Sequence, residues 1–389
     1  MSRVSIIMPT FNRADTIMRA LGSVRAQTFP DWELHVIDDG STDASRQMLA
    51  AERDPRIKLH LQDHRGVAEA RNKGLAASTG DYIAFLDSDD EWYPHHLELS
   101  LAFFKEFPEE HVVSGEFWAD WGAGRFEKHF RVSMGEWFVK VARQIGSTSL
   151  DLPPGESDDY LRFYESRREV GPWARKILDP TPYREVFHYR GSLFPKWRWG
   201  FLMALQPTVM TREAMRAVGP FDARYVIASD FGYLATLCRL YPANMLSAPS
   251  ALKHEYGPKG SALAEEHLAT GRTARLFAKD LLSWFEELFW KGQPPDPELA
   301  SLRALCQLYA ARTALQSGQR QEALLYLEEA SSVLPGLEPT ALKWLVKLTP
   351  HPAASREAYR LLERAKRIPS RAQGGLRSVL RRAQSLVGG

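Results

Sequence analysis

Tyr82-Ile83-Ala84-Phe85-Leu86-Asp87-Ser88-Asp89-Asp90 decides how this chain is read. Five residues run without polar alternation, and then three carboxylates arrive within four positions. The apolar run predicts a strand buried on both faces, as in a parallel sheet with helices above and below. The C-terminal ends of such strands open into the crevice where open α/β sheets bind ligands. In extended backbone Asp87 and Asp89 point the same way, and their charges repel unless a cation lies between them. A hard divalent ion, Mg2+ or Mn2+, still carrying waters and bridging to phosphates, suits these oxygen donors. A solvated acidic turn is the competing account.

Upstream, Val4–Met8 predicts a strand that ends in the breaker-rich Pro9-Thr10-Phe11-Asn12-Arg13. Ile17, Ala20, Leu21 and Val24 then recur at helical spacing behind a capping candidate, Asp15. Trp32–Ile37 predicts a second strand, closed by Asp38-Asp39-Gly40-Ser41-Thr42-Asp43. Ile57–Leu61 predicts a third, and Gly66 precedes a helix over 67–77 that carries Arg71 and Asn72. Strands alternating with helices predict an α/β fold, a doubly wound and mostly parallel sheet. These parts suit a nucleotide. Asp39 can accept from the imide N–H of uracil or from ribose hydroxyls, or it can simply cap a helix or turn. Arg71 offers a fixed cation to base or phosphate. Neither Gly-x-Gly-x-x-Gly nor the P-loop pattern is present, so neither is the route to the phosphates.

Four stretches together carry a resemblance: residues 4–13, Asp38-Asp39-Gly40-Ser41-Thr42-Asp43, the GVAEARNKG run from Gly66 to Gly74, and Leu86-Asp87-Ser88-Asp89-Asp90. In order and spacing they resemble the motifs of glycosyltransferase family 2. The likeness covers residues 2–94 closely and 205–264 more loosely. It implies a GT-A fold and inverting transfer of a sugar from a nucleotide-sugar donor. By that resemblance Pro9, Thr10, Asn12, Arg13, Asp39, Arg71, Asp87 and Ser88 form the donor site. Asp89 would be the metal ligand, with Asp87 beside it. His64 stands where asparagine is commoner in the family, and it is expected to alter a loop contact and not the chemistry.

Further on, 206–210 and Val218-Gly219-Pro220-Phe221-Asp222 resemble the family's strand and turn behind the acceptor site. The family's usual Glu-Asp pair is Ser229-Asp230 here. Inversion needs one base to take the acceptor proton during attack, and Asp230 is that candidate; a helix N-cap is its structural alternative. Lys253 or Lys259 could offset leaving-group charge, and His254 could complete the metal shell. Residues 115–200 gather many tryptophans and tyrosines and predict an insertion over the crevice, on the acceptor side, with an acidic loop at 152–159 as a lid. The GT-A domain is expected over 1–262. Residues 263–389 read as an α-helical region with one weakly tetratricopeptide-like hairpin turned at Gly318 and an arginine-rich tail.

The 389 residues carry a formal charge of +2, which gives no nucleic-acid signal. Two cysteines, Cys238 and Cys306, make no disulfide framework. No long apolar core follows the N-terminus, and no run reaches a membrane span. The expected setting is cytoplasmic, with peripheral contact at the inner membrane face through the basic tail and a protein partner for the helical region. The expected reaction is metal-dependent, inverting transfer from a UDP-sugar to a hydroxyl of a glycan or a lipid-linked acceptor. Its rivals are a nucleotidyltransferase acting on a sugar phosphate and a non-catalytic glycan- or nucleotide-binding scaffold.

Overall fold

A computed structural model of the chain describes residues 3–120, 126–128, 159–183, 185–199, 202–254, 272–291 and 297–333. These fall into two units, one ending in the described residues at His254 and one beginning at Arg272.

The first unit is built on one sheet. Its parallel part is β3 (Ile57–Gln62), β2 (Trp32–Asp39), β1 (Val4–Thr10) and β4 (Tyr82–Phe85), side by side in that order. Every residue of β1 and β2 is buried, the polar Ser5, Thr10, Glu33, His35, Asp38 and Asp39 included. Leu86 lies just past the end of β4, fully buried, with its N–H bonded to the Ile7 carbonyl. Helices α1 (Ile17–Arg25), α2 (Ser45–Ala50) and α3 (Val67–Ala77) follow the first three strands. α3 can lie close on the sheet because position 74 is glycine: a Cβ there would sit 2.5 Å from Ile7 Cγ2 and 2.8 Å from Ile37 Cδ1. This contact sets the height at which α3 presents Arg71. The expected cap of α1 differs, since Thr16 takes the N-cap position in place of Asp15. The Thr16 hydroxyl instead bonds the Ser88 carbonyl at 2.9 Å.

Beyond β4 the sheet is mixed. β10 (Thr208–Thr211) runs antiparallel between β4 and β6 (Val112–Asp120), and β11 (Ala243–His254) lies parallel to β6. β5 (Asp90–Trp92) pairs with β11 and β7 (Phe126–Lys128) with β6. β9 (Phe187–Gly191) and β8 (Ser166–Glu169) complete the far edge. The stretch expected as an insertion is therefore partly sheet: residues 115–120 finish β6, and β8 and β9 extend the same layer. Its aromatics are largely core. Trp197, Tyr160, Tyr164 and Tyr189 are buried, and Trp173 packs on the core; Trp118 and Tyr183 keep partial exposure. Trp121, Trp137 and the 152–158 stretch lie outside the described residues. The remaining helices of this unit are α4 (His96–Glu106), α5 (Pro172–Leu178), α6 (Arg212–Val218) and α7 (Ser229–Leu240).

The second unit is helical. α8 (Arg272–Phe285) continues into a π-helical turn over Glu286–Trp290. α9 (Pro297–Gln316) and α10 (Arg320–Val333) then form the expected hairpin, with Gly318 in the turn at φ 78°. Glu322 accepts from both Arg275 (2.8 Å) and Lys279 (2.9 Å), tying α10 to α8. Lys259 and the arginine-rich tail lie outside the described residues. Among the described residues, no helix is long and apolar enough to cross a membrane.

Candidate active site

The C-terminal ends of β1, β2 and β4, the start of α3 and the start of α7 supply the predicted residues. Asp39 ends β2 and is almost wholly buried. Its Oδ1 accepts from Gln62 Nε2 (2.7 Å) and the Arg65 N–H (2.8 Å). Its Oδ2 accepts from the Gly66 N–H (2.8 Å) and lies 2.9 Å from His64 Nδ1. Asp39 thus satisfies backbone donors at the entrance to α3, the structural role weighed for it, from a place at the mouth of the sheet.

Across from it, Thr10 is buried with a hydroxyl that has no hydrogen-bond partner. Pro9, the residue before it, is buried in the sheet beside Ile37. Asn12 takes a left-handed φ of 53°, and its Oδ1 accepts from the N–H groups of Thr42 (2.8 Å) and Asp43 (3.3 Å). The loops after β1 and β2 are therefore clasped to each other. This clasp leaves Phe11 half-exposed, its ring stacked on that of His64 at 4.1 Å.

Asp87 and Asp89 follow β4, as the opening stretch predicts. Each Asp87 oxygen has its own donor: Oδ1 takes Arg71 at 2.9 Å and Oδ2 takes Gln206 Nε2 at 2.6 Å. Arg71 is buried, its Nε has no hydrogen-bond partner, and its other terminal nitrogen lies 3.5 Å from Ser229 Oγ. Asp89 pairs with Arg13 at 3.3 Å. Burial and then the Asp87 charge push the Asp89 carboxyl above its usual range, while Arg13 and Lys253 oppose the rise. Ser88, between the two carboxylates, is buried. Its carbonyl is held by Thr16, and the Asp89 carbonyl by Arg19 (2.9 Å).

Asp230 lies in the first turn of α7, inside the helix and not at its N-cap, which is Ala228. A doubly bonded contact ties the loop between α6 and α7 to α3: Asn72 Nδ2 donates to the Phe221 carbonyl (2.8 Å), and the Phe221 N–H donates back to Asn72 Oδ1 (2.7 Å). Phe221 stacks on Tyr233 of α7 at 4.0 Å and faces the Arg71 guanidinium at 5.4 Å. Burial pushes the Asp230 carboxyl up, Arg71 pulls it back, and the Asp87 charge adds to the rise. Arg71 therefore sits between the carboxylate after β4 and the carboxylate that opens α7.

His254 ends β11 with Nε2 2.5 Å from Glu91 Oε1 and Nδ1 3.6 Å from Asp120 Oδ2. Its neighbour Lys253 acts electrostatically on Asp89. Among the described residues, no group of three or more His, Cys, Asp or Glu side chains is placed to hold a metal ion. The Asp87–Asp89 pair nevertheless fits a divalent cation in chemistry. It offers hard oxygen donors, and a cation would offset both the burial and the Asp87 charge that raise Asp89. Three contributors escaped the sequence reading. Phe11 lies inside a quoted motif without a marker of its own. Gln62 and Gln206 act through single amide contacts that no spacing rule reveals.

Residues 5–155 match the family described as Glycosyl transferase family 2. The matched stretch includes the strand ends that carry Thr10, Asp39, Asp87 and Asp89. Escherichia coli WfgD, a UDP-Glc:alpha-D-GlcNAc-diphosphoundecaprenol beta-1,3-glucosyltransferase, is 45% identical over 100 residues, 25% of this chain and 40% of its own. The glycosyltransferase YibD of E. coli K12 is 39% identical over 236 residues, 60% of this chain and 61% of its own. Among solved structures, S. aureus TarS in complex with UDP aligns over 94% of this chain and 91% of its own, with 17% identity and a TM-score of 0.48. The chain spans only 18% to 42% of the length of the first curated relatives it matches. The family match ends at 155, so Asp230 and the helical unit lie beyond it.

Proposed function

We propose that this chain is an inverting, metal-dependent glycosyltransferase that takes a UDP-sugar as donor and a hydroxyl of a glycan or lipid-linked sugar as acceptor. The observation that carries the reading is the position of Arg71, which binds Asp87 on one side and reaches Ser229, beside Asp230, on the other. Donor-side and acceptor-side carboxylates thereby share one buried cation. The name of WfgD, a relative over the N-terminal quarter of the chain, supports a UDP-sugar donor and a lipid-diphosphate-linked acceptor.

In this reading Asp39, Thr10 and Phe11 receive the nucleoside. Asp89 and Asp87 would hold Mn2+ or Mg2+, with His254 as a further candidate ligand. Bound there, the cation would neutralise charge on the departing diphosphate. Asp230 takes the proton of the acceptor hydroxyl. The acceptor's hydroxyl oxygen forms the bond to the anomeric carbon as the bond to the diphosphate oxygen breaks, and that electron pair leaves with the nucleoside diphosphate. Attack from the face opposite the leaving group inverts the centre. A carboxyl raised by burial is a stronger base than a free one once ionised, which suits the task.

The test is product analysis with a panel of UDP- and GDP-sugars in Mn2+. Free nucleoside diphosphate is expected, and sugar 1-phosphate or nucleoside monophosphate in its place would mean attack at phosphorus and overturn the reading. Asp89→Ala should lose metal-dependent donor binding. Asp230→Asn should bind donor normally and fail to transfer, and wild-type transfer by Asp230→Asn would refute the base assignment.

A further inference from the structure

We infer that His64 occupies the place of the donor's base and must swing out for the nucleotide to bind. The inference rests on the nucleotide-sugar reading and adds to it a residue that sets donor affinity. A carboxylate offers about four lone-pair positions; Gln62 and the Arg65 N–H take two on Oδ1 and the Gly66 N–H one on Oδ2, and the His64 ring, hydrogen-bonded through Nδ1 to the Asp39 carbonyl at 3.1 Å, stands over the fourth with Nδ1 2.9 Å from Oδ2. An imide N–H from a base can reach this carboxylate only by displacing one of them. Two are backbone groups fixed at the start of α3. His64 is the one that can leave, because its side chain is 57% exposed.

The form of the contact is that of a bound base. A planar ring lies on Phe11 with centroids 4.1 Å apart and planes 24° apart, and it presents a nitrogen to Asp39 Oδ2 at 2.9 Å. The same nitrogen is 3.1 Å from the Asp39 carbonyl. Both neighbours are acceptors, so Nδ1 carries the proton and donates, as the imide of uracil or the lactam N–H of guanine would. The backbone is arranged for this. Gly40, at φ +83°, lets the His64 amide come so close that a Cβ on residue 40 would lie 2.8 Å from His64 N. With the backbone held there, rotation of the imidazole alone opens the site. His64 therefore does more than alter a loop contact.

A closed ring raises the apparent dissociation constant in inverse proportion to the fraction of chains in which it is open, so a ring shut nine times in ten costs about tenfold. Calorimetric titration with UDP and, separately, with inorganic pyrophosphate in Mn2+ tests this on the full chain and on His64→Ala. The expected result is UDP binding tighter by about threefold to thirtyfold in the variant, with pyrophosphate unchanged because it has no base. In the wild type, the His64 imidazole resonances should move on adding UDP and stay put on adding pyrophosphate. UDP affinity equal or weaker in His64→Ala overturns the inference, as does equal tightening of both probes. Failure of both folded proteins to bind UDP at all would bring down the donor reading, and this inference with it. Normal UDP binding without tightening sinks the inference alone.

Discussion

Replacing Arg71 by methionine separates the two halves of the site with the least change in shape. Methionine keeps the apolar stem and removes the guanidinium that binds Asp87 at 2.9 Å. Arg71 is 5% exposed and Asp87 27%. Breaking a fully buried ion pair costs about 3–5 kcal/mol, because the remaining charge is stranded. Here Asp87 keeps some solvent and its Gln206 bond, so a discounted figure of about 2–3 kcal/mol applies. At about 2–4 °C per kcal/mol for a unit of this size, the melting temperature should fall by about 4–12 °C. The second effect has a definite sign. Arg71 holds the Asp230 carboxyl down against burial. Without it, Asp230 gives up its proton only at higher pH, and the acid limb of kcat moves up. The assay is a pH–rate profile at 20 °C, where the variant is still folded, set beside a melting curve. An acid limb at the wild-type pH would refute the placement of Arg71 between the two carboxylates, whatever the loss in rate.

Gly40→Ala forces a side chain onto a backbone at φ +83° and against the His64 amide. A loss of about 1–3 kcal/mol, seen as a lower denaturation midpoint, should come with weaker UDP binding. His96 is fully buried, neither ring nitrogen has a hydrogen-bond partner, and burial pushes its pKa down to about 3. A base with a depressed folded pKa leaves the unfolded chain binding the extra proton, so stability is lost as pH falls below about 6.5, by up to about 1.4 kcal/mol per unit. His96→Phe should therefore be at least as stable at pH 7 and flatten the decline between pH 6.5 and 4. An unchanged slope in urea titrations across that range would contradict this.

The parallel half of the fold was readable because every signal there is local. Val4–Thr10 and Trp32–Asp39 are buried end to end, and their dense Val, Ile, Leu and Met content marks them as strands even though Ser5, Glu33 and His35 interrupt the apolar residues. The carboxylates after β2 and β4 were legible for the same reason, since a strand end followed by Asp is a sequence feature. The far half was not. β8, the sequence Ser166-Arg167-Arg168-Glu169, is exposed at every position, so it lacks the alternation that marks a half-buried strand. Only its pairing with β9 makes it a strand. The aromatics of 115–200 predicted an insertion on the acceptor side, yet Trp197 has no exposed surface. Composition cannot tell a stacking face from a core, because both need large rings. Asp230 was singled out through its motif, whereas Gln206 and Gln62 were not, since an amide that orients a carboxylate carries no spacing of its own.

The saturation of Asp39 bears on how far residue identity can be turned into a role. Asp39 looked either like a base-recognising carboxylate or like a cap, and these seemed exclusive. The structure shows Asp39 accepting from the N–H groups of Arg65 and Gly66 at the entrance to α3, with Gln62 on a third of its four acceptor positions. Those three bonds would also hold the carboxylate still for a ligand. What distinguishes the two roles is the fourth position, taken by a side chain that stands largely in solvent. A carboxylate needed only to cap α3 gains little from an exposed imidazole stacked on an exposed phenyl ring. A base-recognising carboxylate, by contrast, must keep one acceptor position that can be vacated without unfolding α3. On this argument the two accounts of Asp39 merge, and the residue to question is the one that covers it.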